Sequence, residues 1–135
     1  MLKGIDPLLT GELLGELDAL GHGDSVAVVD ANFPARRIGR RVVALPGIGI
    51  GAALAAIASV LPIEGNPLFM APDEGSAAAH EDMRAALEGQ PTTNLDRFAF
   101  YEESKKAEIV ILTGETRPYG NALLTKGVVA VDRAE

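Results

Sequence analysis

The chain has 135 residues, enough for one compact domain with a core of its own, and 47% of them are apolar but only 4% aromatic, so Ala, Val, Leu and Ile must build that core. The absence of cysteine excludes thiol catalysis, thiolate metal sites and disulfides, and fits a reducing compartment such as the cytoplasm. A formal charge of −7 argues against nucleic acid or an anionic membrane as partner, since both demand basic surface.

The N-terminal run MLKGIDPLLTGELL is broken by Asp6, Pro7 and Glu12 and has no signal-peptide core, and the longest apolar stretch, Gly47 to Leu61, is too short to span a bilayer. A soluble, non-exported protein is expected. Leu8, Leu9, Leu13, Leu14, Leu17 and Leu20 recur at helical spacing, with Thr10 as N-cap and Gly21 as the glycine that stops the helix. Ser25 to Asp30 has an unbroken VAVV run, the pattern of a strand covered on both faces, with Asp30 at its C-terminal end. After the break at Asn32-Phe33-Pro34, ARRIGRR reads as a basic loop and Val42 to Leu45 as a second strand. A helix over Gly51 to Val60 follows.

Pro62, Gly65, Asn66 and Pro67 read as a loop, Leu68 to Ala71 as a short strand, and Ser76 to Leu87 as a helix ended at Gly89 to Pro91. Arg97 to Tyr101 is apolar-aromatic, Glu102 to Lys106 is helix-like, Glu108 to Thr113 is a strand, and Val128 to Val131 reads as the last one, with Tyr119-Gly120-Asn121 in the turn between. No repeat or linker divides the chain. The expectation is a single α/β domain over residues 1–135, a mixed sheet with helices on both faces.

Four features carry possible chemistry. His22, between two glycines in GHGD, has little bulk around it; it reads either as a histidine favouring a helix C-terminus or, with Asp30 eight residues on across a helix-to-strand turn, as one of two groups sharing a substrate. His80, in AAAHEDMR, lacks the second histidine of a zincin helix and reads as a surface residue, so no metal site is expected. Gly47-Ile48-Gly49-Ile50-Gly51-Ala52 fits a dinucleotide fingerprint in form, but it begins far into a short chain with Pro46 in the turn, and a closely packed glycine approach to an alanine-rich helix explains it better. Arg36, Arg37, Arg40 and Arg41 form a basic cluster that reads as a solvated loop or a contact between subunits.

Taken in order, GHGD at His22, DANFPA at Asp30, RFAFYE at Arg97, and TGE followed by YGNALLTKGV at Tyr119 resemble the L-fucose mutarotase family, sister of D-ribose pyranase, and the N-terminal run extends the likeness over nearly the whole chain. The resemblance implies an isomerase that interconverts the α and β anomers of a free sugar without a cofactor, on a mixed α/β fold assembled into ring-shaped oligomers, commonly decamers. It implies His22 as catalytic proton donor and Asp30, Arg97, Tyr119 and Asn121 as sugar ligands, with Tyr101 of RFAFYE adding to the pocket. The same residues in a non-catalytic sugar-binding protein would be the alternative. The segment Pro62 to Asn94 departs from the fucose pattern and is shorter, which leaves the sugar itself open.

Overall fold

The computed structural model describes residues 1–73 and 77–132. It contains α1 (Gly11–Ala19), β1 (Ser25–Val29), α2 (Ala35–Ile38), β2 (Val42–Leu45), α3 (Ile50–Ala58), β3 (Ile63–Met70), α4 (Ala77–Ala86), β4 (Thr93–Leu95), α5 (Arg97–Lys105), β5 (Ile109–Thr113) and β6 (Ala122–Lys126). Six strands form one mixed sheet in the order β2-β5-β1-β6-β3-β4. β2, β5 and β1 are mutually parallel, β6 runs antiparallel to both β1 and β3, and β4 is parallel to β3. Five strands therefore point one way, and their C-terminal ends gather at a single edge of the molecule together with the start of β6.

Helices cover both faces, as expected. On one side Val26 and Val28 of β1 pack with Leu13 and Leu17 of α1, Leu54 and Ile57 of α3, and Met83 of α4. On the other, Ala27 and Val29 meet Phe33, Ile38 of α2 and Phe100 of α5. Burial on both faces is why VAVV shows no polar alternation, whereas edge strand β2 alternates, with Val43 and Leu45 buried and Val42 and Ala44 exposed.

The start of α1 is the expected one, for the Thr10 side chain accepts the Leu13 N–H at 3.2 Å. Its end differs. Leu20 is extended, and the carbonyls of Leu17 and Leu20 accept from Lys126 Nζ, so a side chain from β6 replaces the left-handed glycine. The glycine with the left-handed angle is Gly23, at φ 89°.

Several expectations need correction. The basic segment contains a short helix, α2, of which Ala35 and Ile38 are buried. The loop expected at Pro62 to Pro67 belongs to β3: between Glu64 and Leu68 the pairing with β6 slips, and Gly65 at φ 68° makes the bulge that also accommodates Pro67. Strand β4 went unread, and Arg97 to Tyr101 and Glu102 to Lys106 are one helix, α5, capped by the Asp96 side chain on the Ala99 N–H. The last strand is β6, not Val128 to Val131, where Val128, Val129 and Val131 are each 66% exposed.

Two glycines let the chain cross itself above the sheet. A Cβ on Gly114 would lie 2.4 Å from the Gly47 nitrogen, and the Gly114 N–H donates to the Ile48 carbonyl at 2.8 Å. Gly114→Ala must push backbone apart, at a cost of about 2–3 kcal/mol. Gly15 lies exposed in mid-helix with nothing within 4 Å of its Cβ direction, so Gly15→Ala should gain about 0.5–1 kcal/mol. Urea unfolding midpoints moving in opposite directions for these two variants would check both.

Candidate functional site

Asp30 follows β1 directly and is only 4% exposed. Its backbone N–H donates to Asn121 Oδ1 at 2.8 Å, and Asn121 Nδ2 donates back to Asp30 Oδ2 at 3.0 Å. Its other oxygen, Oδ1, accepts the Asn32 N–H at 2.9 Å, the local bond that turns the chain after an Asp. Burial pushes the Asp30 carboxyl above its ordinary pKa, with the hydrogen bonds from Asn32, Asn121 and the backbone of Phe33 and Gly120 pulling the other way. The DANFPA run is thus a turn built to present a partly desolvated carboxylate.

Asn121, 2% exposed, begins the approach to β6, and Tyr119 two residues before it holds φ at 63°. That angle costs a tyrosine on the order of 1–3 kcal/mol and marks a conformation imposed by its surroundings. Two donors hold it: the Tyr119 carbonyl accepts from the Asn121 N–H at 2.9 Å and from His80 Nε2 at 2.9 Å. His80 is therefore not the surface residue expected from sequence. It is 2% exposed on the inner face of α4, edge-on to Phe69 with ring centroids 5.2 Å apart, and burial lowers its pKa.

From α5 come Arg97 and Tyr101. Arg97 is the first residue of the helix, where a cation gains nothing from the helix dipole, and its guanidinium lies over the Phe98 ring at 4.7 Å. Tyr101 is fixed edge-on by Phe33 at 5.4 Å and by Phe98 at 6.4 Å. Asp30, Arg97, Tyr101, Tyr119 and Asn121 line one cavity of about 230 Å³, together with Asn32, Phe33, Met70 and Pro118. Five of the six expected site residues thus meet at the C-terminal ends of the parallel strands, where open α/β sheets hold their ligands. A wider hollow of about 660 Å³ adjoins it through Arg97 and Tyr101 and carries Arg37 and the exposed Phe98.

His22 lies elsewhere. It precedes β1, in a turn where Asp24 Oδ2 accepts the Gly21 N–H at 2.7 Å and Gly23 N–H donates to the Lys126 carbonyl at the far end of β6. The five residues of β1 separate it from Asp30, roughly 17 Å at about 3.3 Å per residue. The ring is 58% exposed, and its Nε2 donates to Glu64 Oε1 at 2.9 Å. Glu64 escaped the sequence reading because it stood in an apparent loop.

The glycine run has a different task from the fingerprint it imitates. Where a dinucleotide would place its pyrophosphate, at the start of α3, the Ile50 N–H donates to Glu115 Oε1 at 3.2 Å. Arg117 clasps the same carboxylate through Nε at 3.0 Å and Nη2 at 2.8 Å and reaches Asp82 of α4 at 2.7 Å. Arg117 holds the Glu115 carboxyl down to about 2. The Glu115 carbonyl in turn accepts the Ala31 N–H at 2.8 Å, and Thr113 Oγ1 donates to the Val29 carbonyl at 2.7 Å, so the TGE run braces the Asp30 turn from behind. Of the basic cluster, Arg41 pairs with Glu16 and Arg40 with Glu108.

The profile of the RbsD / FucU transport protein family matches residues 3–129. The chain belongs to that family. Among RbsD/FucU proteins, the L-fucose mutarotase of Histophilus somni (strain 129Pt) is 36% identical to it, the match covering 97% of this chain and 99% of the relative. The fucose mutarotase of Streptococcus pneumoniae, solved in complex with L-fucose, is 33% identical with a TM-score of 0.88, over 96% of this chain and 100% of that one. Bacillus subtilis RbsD, solved with D-ribose, is more distant within the family at 26% identity and a TM-score of 0.79, over 96% of this chain and all of that one. No helix among the described residues is long and apolar enough to cross a membrane.

Because the Glu115 carboxyl is depressed from 4.5 to about 2 in the folded state, the stability it lends is complete above pH 4.5 and is lost as pH falls toward 2. Glu115→Gln should be less stable than the parent at pH 7 and lose less stability over that window. Denaturation midpoints measured between pH 6 and pH 2.5 would show it as a flatter acid limb.

Proposed function

We propose that this chain is a cofactor-independent mutarotase that interconverts the α and β anomers of a free monosaccharide, with L-fucose as the sugar, acting in the cytoplasm. The observation that carries the reading is the cavity itself: a buried carboxylate locked to an amide, one guanidinium and two phenols face a space of monosaccharide size, in a chain 33% identical to a protein solved with L-fucose. These groups suit a neutral polyol, which needs acceptors and donors in fixed places. Asp30 accepts hydroxyl hydrogens, Arg97 and Asn121 donate to sugar oxygens, and the tyrosines bound the ring and offer hydroxyls that both donate and accept.

Anomerisation needs one proton to leave the anomeric hydroxyl and one to arrive at the ring oxygen as the bond between that oxygen and the anomeric carbon breaks. Rotation of the resulting aldehyde and closure on its other face reverse the transfers. A histidine can give and take protons near neutral pH in both directions. His22 fills that role in this reading, with Glu64 setting the orientation of its ring. Since His22 and Asp30 lie at opposite ends of β1, the His22 that serves a given cavity belongs to a neighbouring copy of the chain, in a ring-shaped homo-oligomer such as a decamer. Arg97, Phe98 and Arg37 beside the cavity offer cations and an exposed ring to meet that neighbour.

Saturation-transfer NMR between the anomers of L-fucose tests the activity. His22→Ala should slow protein-catalysed exchange about 100-fold or more while keeping the fold. Saturable binding with unchanged exchange would identify a sugar-binding protein instead. For the shared site, co-assembled His22→Ala and Asp30→Asn chains should regain up to about a quarter of parental activity, because random mixing pairs an intact His22 with an intact Asp30 in that share of sites. Mixed assemblies as inactive as the separate variants would sink the two-chain arrangement, as would a monomer by light scattering.

A further inference from the structure

His80 does not line the sugar cavity, yet its hydrogen bond and its ring contact lead there. Its Nε2 lies 2.9 Å from the Tyr119 carbonyl. That carbonyl also receives the Asn121 N–H, so both of its lone pairs are used to hold one turn. Asn121 passes the constraint on through its two bonds to Asp30. Phe69, packed in a T-shaped contact with the imidazole, pairs with Ala122 at the start of β6, and the next residue, Met70, donates its N–H to the Asn121 carbonyl at 3.2 Å. The imidazole is thus wedged between α4 and the junction of β3 with β6, behind the cavity wall.

We propose that His80 is a positioning residue for the sugar cavity: its ring N–H pins the Tyr119 carbonyl and keeps the Tyr119-Gly120-Asn121 turn in the left-handed form that presents Tyr119 and Asn121 to the ligand. A buried imidazole is an awkward core residue unless its polar atoms are matched, and a leucine would fill the space without that demand. What an apolar side chain cannot supply is a donor for a carbonyl that a strained tyrosine directs inward. An imidazole supplies it through its Nε2–H, 2.9 Å from the Tyr119 oxygen. The inference rests on the reading of this cavity as the sugar site, and it predicts an effect on ligand affinity more than on proton transfer, because His80 acts on residues that hold the sugar and not on His22.

The test compares His80→Gln, which keeps an N–H donor, with His80→Phe, which keeps volume and loses the donor, both in the full chain. His80→Phe should raise KM for L-fucose about 10-fold or more with kcat within about 3-fold of the parent, and His80→Gln should restore KM to within about 3-fold. A crystal structure of His80→Phe should show Tyr119 out of the left-handed region. Should that variant not fold, His80→Met takes its place under the same expectations. Parental KM in the donor-free variant, or equal losses of stability in both variants with no change in KM, would overturn the proposal. If the parent protein neither binds nor exchanges any sugar, the sugar reading itself falls, and the Tyr119 angle decides the positioning role alone: moved supports it, unmoved overturns it.

Discussion

The interior of the site depends on one exchange of hydrogen bonds, the pair that joins Asp30 to Asn121. Placing a carboxylate almost out of water is costly unless its lone pairs are met, and Asn121 meets it with an amide that accepts from the Asp30 N–H and donates to its carboxylate together. An aspartate could not donate, and a leucine could do neither. The pair also ties the end of β1 to the start of β6, so the turn after one strand and the turn before the other are parts of a single structure. Tyr119 is strained within it, Arg97 and Tyr101 close its open side, and the TGE run holds it from behind.

Much of this was legible in the residues, and the failures have physical causes. Thr10 announced α1, the VAVV run announced a strand covered on both faces, and Asp30 at its end pointed to the correct edge of the sheet. Short or irregular elements were harder. β4 is three residues long, α2 is one turn inside a basic segment, and the Gly65 and Pro67 that argue for a loop instead mark a bulge in β3. Val128 to Val131 has the composition of a strand, but the partners that would make it one are taken by β6 one turn earlier. Grouping Asp30, Arg97, Tyr101, Tyr119 and Asn121 came from resemblance, since no spacing rule links residues up to ninety-one positions apart that only a sheet brings together.

His80 shows how a polar residue is misjudged by its sequence neighbours. Glu81, Asp82 and Arg84 make the segment look solvated, yet His80 shares its stripe of α4 with Met83 at i+3 and lines up with Leu87 just past the helix end at i+7, both buried. The glycine run shows the opposite error. Its form is that of a phosphate loop, and its helix start does bind an anion, but the anion is Glu115 of the same chain. A motif describes a backbone able to accept negative charge, and the rest of the fold decides where that charge comes from.

Strand β6 carries Asn121 beside one end and Lys126, clamped to the last turn of α1, at the other. It and β1 act as a strut that keeps the His22 turn and the Asp30 turn at a fixed separation, whatever the loops do. No closure within one chain can bring the two together. If both serve one sugar, the working unit is defined by assembly, and the rate per chain becomes a matter of mass action: below the concentration at which neighbours dissociate, a fully folded protein would retain every one of its site residues and have no complete site.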